Sequence, residues 1–152
     1  MPTPAVCFEL PVPDIASASV RYLSSVGNLK AAGCGIAISG FGRDSVSLEA
    51  LRMTGAPVIK LEEAMVRAAA HDPEACSRLR SVHRLCGKAG VVTIAEFVER
   101  SETLSKLREI GVDYAQGYGI ARPEPLPGNQ PLTRSEAIAT LPLRRPVPRV
   151  LA

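Results

Sequence analysis

The sequence predicts an α/β fold in which about five parallel strands are covered by helices. Short apolar runs alternate with segments whose apolar residues recur at helical spacing, and this order is typical of parallel sheets. The runs are nearly continuous in apolar residues, as strands buried on both faces are. The 152 residues, 46% of them apolar and 22% charged, are enough to form a core. Since a complete eight-stranded barrel takes about 250 residues, the sheet is either open or part of a barrel.

The strands are predicted from apolar runs bounded by glycine, proline or charged residues. The first run follows the N-terminus, and each later run comes after a segment with helical periodicity, so every crossover contains a helix. The last two runs, VVTIAEF and YAQGYGI, predict strands that continue through a glutamate and a glutamine respectively. The five predicted strands are residues 6–10, 35–39, 57–61, 91–97 and 114–120.

The first three helices are predicted from caps and apolar spacing. Asp14 is suited to be the N-cap of the first helix, and Gly33 can end it. Gly55 and Pro57 close the second helix, and the third follows the third strand directly. The first helix carries Ile15, Tyr22, Leu23, Val26 and Leu29 at helical spacing, and the next two helices span residues 45–53 and 63–70.

The last two helices have stronger start and stop signals. Asp72, Pro73 and Glu74 match the N-cap and the first two positions of a helix, with an acid at the positive end of its dipole. Ser101 is suited to cap the final helix, and Gly111 to stop it. The first of these two helices has an apolar stripe of Cys76, Leu79, Val82 and Cys86, which His83 borders, and an opposite basic stripe of Arg80, Arg84 and Lys88. The apolar residues of the final helix are Leu104, Leu107 and Ile110.

The two stripes predict core packing on one side and solvent on the other. We expect the cysteines of the apolar stripe to be core residues and His83 to pack beside them. A solvated face is the favoured interpretation of the three basic residues, with a binding patch as the less favoured one. The four cysteines form no CxxC pair and the two histidines have no ligand-like spacing, so zinc and haem attachment are poorly supported.

Composition excludes several classes of protein. The net charge of +3 is too small to demand nucleic acid or an anionic membrane as a partner. No apolar run approaches the roughly 20 residues of a membrane helix, and the N-terminus lacks the features of a signal peptide. We therefore expect a cytoplasmic protein whose thiols are free and mostly buried.

The C-terminal part of the chain differs in composition from the rest. Seven of the thirteen prolines lie at or beyond Pro123, which predicts an α/β domain over residues 1–122 and a flexible tail over residues 123–152. One short helix is predicted near residues 133–141. Arg144, Arg145 and Arg149 could contact an acidic partner, although a solvated tail is the favoured interpretation.

Polar residues lie at the predicted strand ends, where parallel α/β proteins place their chemistry. Glu96 lies inside an otherwise apolar run, and a carboxylate there needs a partner. Lys60, which closes another apolar run, is the predicted partner; such a pair could equally serve only to orient the sheet. The full set is Glu9, Ser39, Gly40, Lys60, Glu62, Glu96, Glu99 and Gln116.

One interpretation of this set is dinucleotide binding. Residues 40–45, GFGRDS, follow a strand and precede a helix, and Glu62 ends the next strand about twenty residues later. In that arrangement the glycines would admit a pyrophosphate and the acid would hold a ribose. Ser45 replaces the third glycine, so only part of the pattern is present.

Two longer stretches resemble a known family. GIAISGFGRDSVSLEALRMTGAPVIKLE, followed by VVTIAEFVERSETLSKLREIGVDYAQGYGIARPEP, is similar to the second half of an EAL domain. The resemblance covers residues 8–125 and implies a partial TIM-type (β/α) barrel. Members of this family hydrolyse or bind cyclic di-GMP, and the hydrolytic members use two divalent cations that activate water and neutralise the phosphodiester.

The resemblance implies a degenerate site. Both metal-binding and catalytic aspartates of the D-D-F-G motif are absent, since Ser39 and Gly40 stand in their places. The second glutamate of the E-x-T-E segment falls at Val12, and Glu62 stands where the K-I-D motif has aspartate. The matching residues are Glu9 and Glu96 as remnant metal ligands, Lys60 beside the attacking water, Glu99 as the second glutamate of A-E-G-V-E, and Gln116 of Q-G-Y near the metals.

These substitutions imply a catalytically inactive protein. Magnesium or manganese needs several anionic oxygens, and a hydroxyl at Ser39 is a weak neutral ligand. The strand with the E-A-L motif and a later asparagine ligand have no counterpart in the sequence. We expect no cofactor, except magnesium or manganese if activity remains, and at most weak cyclic di-GMP binding. A sheet that cannot close into a barrel leaves unpaired strand edges, which predicts a regulatory protein that contacts another protein or its own copy. A cyclic di-GMP receptor or residual phosphodiesterase is the alternative.

Overall fold

The sheet and its helices follow the predicted order. In the computed structural model, the structure describes residues 6–12, 15, 17, 19–42, 47–123 and 141–142. The elements are β1 (Cys7–Pro11), α1 (Val20–Ala31), β2 (Gly35–Phe41), α2 (Ser47–Thr54), β3 (Val58–Leu61), α3 (Glu63–Ala68), α4 (Pro73–Lys88), β4 (Val92–Ala95), α5 (Ser101–Ile110), β5 (Tyr114–Ala115) and β6 (Leu141–Pro142).

The strands lie side by side in chain order. β1 to β5 are parallel, and each is joined to the next by at least one helix, as predicted for a partial (β/α) barrel. β6 pairs antiparallel with β5, with Leu141 opposite Ala115. The register between β2 and β3 shifts between Ile38 and Phe41, beside the positive φ of 68° at Gly40.

The two faces of the sheet differ in burial. Ile38 and Ile59 are fully buried and join the core that the helices complete. Alternate residues point to the opposite face, because side chains alternate along a strand. On that open face Val58, Lys60 and Val92 are only half-buried. The core therefore lies between the sheet and its helices, and the other face is available to position a site.

Two helices begin at residues other than those predicted. Ser19 is the N-cap of α1, where its side chain accepts a hydrogen bond from the Tyr22 N–H at 3.3 Å. The predicted cap, Asp14, lies outside the described residues. Arg100 precedes α5 in an extended conformation without a side-chain cap, and Ser101 is already helical. The backbone thus enters each helix at a point that the spacing of apolar residues did not fix.

Other caps are confirmed. The Asp72 side chain accepts the Glu74 N–H at 2.8 Å, and Pro73 is the first residue of α4. Gly111 ends α5 at a φ of 93°, and Gly33 follows α1 at a φ of 85°. The left-handed conformation at both positions explains why glycine stops these helices.

The predicted stripes of α4 are confirmed, whereas the expectation that the thiols are mostly buried fails at one cysteine outside this helix. Leu79 and Cys86 are buried, whereas Arg80, Arg84 and Lys88 are exposed. Cys34 and Cys76 are half-buried, but Cys7 is exposed on the first strand, so the expectation of mostly buried thiols is wrong there. None of these four cysteines forms a disulfide.

The last two strands are shorter than predicted. β4 ends at Ala95, and β5 contains only Tyr114 and Ala115. The residues that follow hydrogen-bond loop to loop instead of extending the ladder. In the tail, Leu141 is a strand residue and not the end of a helix; residues 124–140 and 143–152 lie outside the described part of the chain. Within that part, no helix is both long and apolar enough to cross a bilayer.

Candidate functional site

Three predicted site residues meet at the carboxyl ends of the strands. The Lys60 Nζ donates to Glu9 Oε2 at 2.6 Å and to Glu96 Oε1 at 2.7 Å. Lys60 and Glu96 are largely buried, with 15% and 18% of their side chains exposed, whereas Glu9 is 47% exposed. The predicted Lys60–Glu96 pair is therefore confirmed, and Glu9 is a second partner.

The sheet register brings these side chains together. Lys60 pairs with Ile94 across β3 and β4, and Glu96 lies two residues further along the chain. Residues two apart point to the same face of a strand. Glu9 pairs with Ala37, which in turn pairs with Val58, two residues before Lys60. All three charged groups thus lie on the open face, and Lys60 is between the two glutamates.

The two carboxylates keep Lys60 charged. Burial by itself lowers the pKa of Lys60, but the hydrogen bonds and charges of Glu9 and Glu96 outweigh it and leave the pKa above its ordinary value. Burial and the charge of Glu9 raise the pKa of the nearby Cys7 thiol, against an opposing effect of Lys60. The ammonium is thus a fixed cation, and the Cys7 thiol is protonated at neutral pH.

The loops that follow β4 and β5 are joined backbone to backbone. The Gln116 N–H donates to the Ala95 carbonyl at 2.8 Å, and the Val98 N–H donates back to the Gln116 carbonyl at 3.0 Å. The Gly119 N–H donates to the Val98 carbonyl at 3.0 Å. This loop pairing holds the AEFVE and QGY segments in fixed relation beyond the sheet.

Two glycines make that pairing possible. A Cβ at Gly117 would lie 2.3 Å from the Val98 nitrogen, and a Cβ at Gly119 would lie 2.5 Å from the Glu99 carbonyl oxygen. Gly117 also has a φ of 157°, close to the extended region. The glycines are thus needed because the two loop backbones approach too closely for a side chain.

A cleft of about 270 Å³ lies beyond these strand ends. Glu99 is exposed, and neither its carboxylate nor the Gln116 amide hydrogen-bonds to the described residues. Glu96 connects this cleft to the Lys60 pair, whereas Glu99 and Gln116 do not contact Lys60. The six residues that line the cleft are Glu96, Phe97, Glu99, Gln116, Gly117 and Tyr118.

Phe97 has an unusual conformation within this cleft. Its φ is 55°, and among the described residues it is the only non-glycine with a positive φ. Its side chain is 58% exposed, so core packing does not explain the residue. A phenylalanine in the left-handed region costs about 1–2 kcal/mol.

The remaining predicted residues have other roles or lie apart. Ser39 pairs with Pro11 in the β1–β2 ladder, and Gly40 occupies the irregular part of β2. The Glu62 carboxylate accepts the Met65 N–H at 3.0 Å and caps α3. The amino-acid sequence does not predict this role, because glutamate is not among the preferred N-cap residues.

The donor set does not fit a pair of divalent cations. Among the described residues, no group of three or more acidic, histidine or cysteine side chains is placed to hold a metal ion. Both Glu9 and Glu96 already bind the Lys60 ammonium, and the end of β2 supplies only Ser39 and Gly40. Since magnesium and manganese need several oxygen ligands, these residues do not form a two-metal centre.

The dinucleotide interpretation is wrong. The described strands run from β1 to β6 without a reversal of order, so they lack the crevice in which such cofactors bind. Phe41 is buried within β2, and a Cβ at Gly42 would lie 2.6 Å from the Met65 Cε. Gly42 also has a φ of 101°, a conformation that favours glycine without any ligand, and residues 43–46 lie outside the described part.

A second polar cluster lies on the helix-covered side of the sheet. The buried Thr93 hydroxyl donates to Asp113 Oδ2 at 2.8 Å, and the His83 Nδ1 lies 3.0 Å from the same hydroxyl. The Thr93 N–H also donates to Asp113 at 2.9 Å. His83 thus packs beside the core as predicted, and its cluster joins α4 to β4 and to the residue that precedes β5.

These features define a (β/α)-barrel type of protein with a site at the carboxyl ends of its strands. The EAL domain family model matches residues 1–123. The chain therefore belongs to the EAL domain family, as the sequence resemblance implied, and its strands and helices form part of the corresponding TIM-like barrel.

The relatives are longer proteins. Cyclic di-GMP phosphodiesterase PdeB of Shewanella oneidensis is 32% identical over 126 residues, which are 83% of this chain and 15% of PdeB. Cyclic di-GMP phosphodiesterase RocR of Pseudomonas aeruginosa is 34% identical over 125 residues, 82% of this chain and 32% of RocR. The chain thus spans less than a third of RocR and a smaller share of PdeB.

Solved structures agree with this fold. Klebsiella pneumoniae BlrP1, in a complex with calcium and cyclic di-GMP, superposes with a TM-score of 0.72 at 26% identity over 79% of this chain and 31% of BlrP1. The EAL domain of Xanthomonas citri FimX, in complex with cyclic di-GMP, gives a TM-score of 0.75 at 23% identity over 82% of this chain and 49% of FimX. The chain corresponds to about half of that EAL domain.

Proposed function

We propose that this chain is a catalytically inactive EAL-family protein that acts through protein–protein contacts in cyclic di-GMP signalling in the cytoplasm. The arrangement of charged groups around Lys60 is the observation that supports the proposed inactivity. Its ammonium is bound to both remnant carboxylates, Glu9 and Glu96, and the neighbouring strand end offers Ser39 and Gly40 in place of aspartates. No described group of acidic residues is left to hold metal ions.

The chemistry of the reaction supports inactivity. Hydrolysis of a phosphodiester near neutral pH needs a nucleophile formed from water and positive charge on the non-bridging oxygens, both of which metal ions supply. Lys60 provides one positive charge, but the two glutamates offset it. The remaining side chains therefore supply neither the activated water nor net positive charge at the phosphate.

The edge of the sheet supports association. Within the described residues, no strand pairs with the outer edge of β1. Phe8 of this strand is 39% exposed, and the half-buried Val58 and Val92 lie on the open face of the same sheet. Unpaired backbone groups beside apolar surface favour pairing with another polypeptide. A second copy and an unrelated protein both satisfy this requirement.

Calorimetry and a hydrolysis assay test inactivity. The full chain, titrated with cyclic di-GMP with and without manganese, is expected to give no metal-enhanced binding and no linear product. Glu96→Gln is the matched variant, since it removes one remnant ligand while keeping the shape of the side chain. Product formation by the wild-type chain that is lost in Glu96→Gln would contradict the proposal.

Light scattering after size-exclusion chromatography tests association. We expect a species larger than one chain, or a complex with a purified candidate partner, that Phe8→Lys weakens. The charge on the exposed edge strand disfavours strand pairing. A monodisperse monomer that binds no candidate would contradict the proposed mode of action.

A cyclic di-GMP receptor is the second candidate function. The similarity to BlrP1, whose structure holds cyclic di-GMP, and the retained Glu99 and Gln116 in the cleft favour it. Binding of a ligand requires fewer groups than its hydrolysis does. Saturable binding without turnover in the titration above would select this candidate over the first.

A further inference from the structure

The cleft beyond β4 and β5 has two aromatic sides. Phe97 and Tyr118 both line it, and their side chains are 58% and 65% exposed. Exposed aromatic rings that flank a concavity provide flat faces on which a planar or cationic group can stack. Neither ring belongs to the apolar core cluster.

The charged groups of the cleft are hydrogen-bond acceptors. Its two charged lining residues, Glu96 and Glu99, are both acidic, and none of its six lining residues is a cation. Lys60 binds only one oxygen of Glu96, Oε1. The Glu99 carboxylate and the side-chain amide oxygen of Gln116 accept no hydrogen bond from the described residues. The cleft thus complements a ligand that carries positive charge and several N–H donors.

The protein itself places a guanidinium against one of the two rings. The Arg122 Cζ lies 5.6 Å from the centre of the Tyr118 ring. A guanidinium stacks on aromatic rings and donates to a carboxylate with two parallel N–H groups, which an ammonium does not do. A second guanidinium would find the Phe97 ring and the free Glu99 carboxylate in the same cleft.

We propose that this cleft binds an arginine side chain of the protein partner, with the guanidinium against Phe97 and hydrogen-bonded to Glu99. The inference rests on the proposed function, since it names the chemistry by which a partner is recognised. The Gln116 amide and the second oxygen of Glu96 lie beside this position as further acceptors. A phosphate-bearing ligand would face the two glutamates without the metal ions that offset their charge.

Nuclear magnetic resonance with small probes tests this proposal on the full chain. N-acetyl-arginine methylamide is expected to shift the amide signals of residues 97–99 and 116–118 and to saturate in the millimolar range. The lysine analogue should bind about fivefold more weakly, because its ammonium does not form the flat, two-pronged contact.

Variants separate the contributions of charge and ring. Glu99→Gln and Phe97→Gly should each weaken arginine binding by about fivefold. Glu102→Gln, which neutralises an exposed acid on α5 outside the cleft, should leave it unchanged. Equal binding of the arginine and lysine analogues, or no effect of Glu99→Gln, would overturn the proposal.

A third probe separates guanidinium binding from base binding. Guanosine monophosphate carries a similar pair of N–H donors on a flat ring, but it also carries a phosphate. If it shifts the same signals at lower concentration than the arginine probe, the cleft is a base site and the proposal is wrong. These outcomes are independent of the hydrolysis and light-scattering tests, so each proposal can fail alone.

Discussion

Lys60 and Glu96 are joined across neighbouring strand ends, with Nζ 2.7 Å from Oε1, and both side chains are largely buried. This ion pair lies at the carboxyl ends of the strands, on the open face of the sheet. Because Glu9 binds the same ammonium at 2.6 Å, one cation holds three strands of the sheet at a single point. The pair is thus a structural link between neighbouring strands.

Removal of this cation is expected to destabilise the protein. Lys60→Met leaves Glu9 and Glu96 close together without a counter-charge, and Glu96 is partly desolvated. We expect the free energy of unfolding to fall by about 2 kcal/mol, which lies between the values for breaking an exposed ion pair and a fully buried one. Urea denaturation at pH 7 measures this change.

The matched control is Lys88→Met, which removes an exposed lysine from the end of α4. It should cost only a few tenths of a kcal/mol, the value of a favourable helix-dipole interaction. Equal effects of the two substitutions would show that the bridge between the strands contributes nothing specific to stability.

The two loop glycines are expected to be intolerant of a side chain. Gly117→Ala and Gly119→Ala each place a Cβ within 2.5 Å of atoms of the adjacent loop. These are backbone atoms, so no side-chain rotation relieves the clash. We expect each to destabilise the protein by about 3 kcal/mol or more. Thermal unfolding followed by circular dichroism measures the loss.

Gly87→Ala is the control for this prediction. Gly87 lies within α4, and a Cβ there would meet no atom within 4 Å. Alanine should therefore stabilise the helix by about 0.5–1 kcal/mol. A Gly117→Ala variant as stable as the wild-type chain would contradict the close approach of the two loops.

Phe97 is expected to store strain. With a φ of 55° and an exposed side chain, it loses little packing when replaced. Phe97→Gly should raise the free energy of unfolding by about 1 kcal/mol, since glycine adopts this conformation without the steric cost. Phe8→Gly, at an exposed aromatic within a strand, should instead lower it. A destabilised Phe97→Gly variant would show that the ring contributes to folding.

Stability is expected to fall at alkaline pH because of Cys86. Burial, and then the charge of Asp113, raises the pKa of this thiol from 9.0 to about 11. Because the pKa is higher in the folded chain, the Cys86 thiol loses its proton first in the unfolded chain. The contribution of this thiol to the free energy of unfolding is therefore complete below pH 9 and declines as the pH rises toward 11. The decline should be about 2 kcal/mol, from a shift of this size.

Urea denaturation at pH 8, 9, 10 and 11 measures this decline, and Cys86→Ala should flatten it after allowance for the cavity that alanine leaves. Cys34→Ala, at a half-buried thiol, is the comparison. The pKa of Lys60 is also raised, so its contribution to stability is likewise lost as the pH rises through the pKa of the folded chain. Some decline of stability with pH should therefore remain in Cys86→Ala. Identical slopes in the wild-type and Cys86→Ala chains would contradict the prediction.

Restored acids are expected to bring back metal affinity. Ser39→Asp with Gly40→Asp adds two carboxylates at the end of β2, beside Glu9 in the adjacent strand. A Cβ at Gly40 meets no atom within 4 Å, although its φ of 68° makes the substitution cost about 1 kcal/mol. Manganese should broaden the amide signals near Glu9 and Glu96 at about tenfold lower concentration than in the wild-type chain. Ser24→Asp, on the exposed surface of α1, should change nothing.

Several elements of the fold followed from local pattern. The start of α4 at Asp72–Pro73 and the stops at Gly33 and Gly111 were predictable because capping depends on residues close in sequence. The ends of β4 and β5 were not, since apolar periodicity continues past Ala95 and Ala115. The strands end there because the two following loops bond to each other, which is a contact across about twenty residues of chain.

Three features could be predicted from the amino-acid sequence: five parallel strands with covering helices, the resemblance to an EAL domain, and the pairing of Lys60 with Glu96. These conclusions depend on apolar spacing, on motifs and on the high energy of an unpaired buried charge. Only the tertiary structure decided that Glu9 shares the same ammonium, that Glu62 caps a helix, and that Phe97 lies strained beside an open cleft. Register, loop-to-loop bonding and backbone torsion depend on residues far apart in the chain, so no local pattern encodes them.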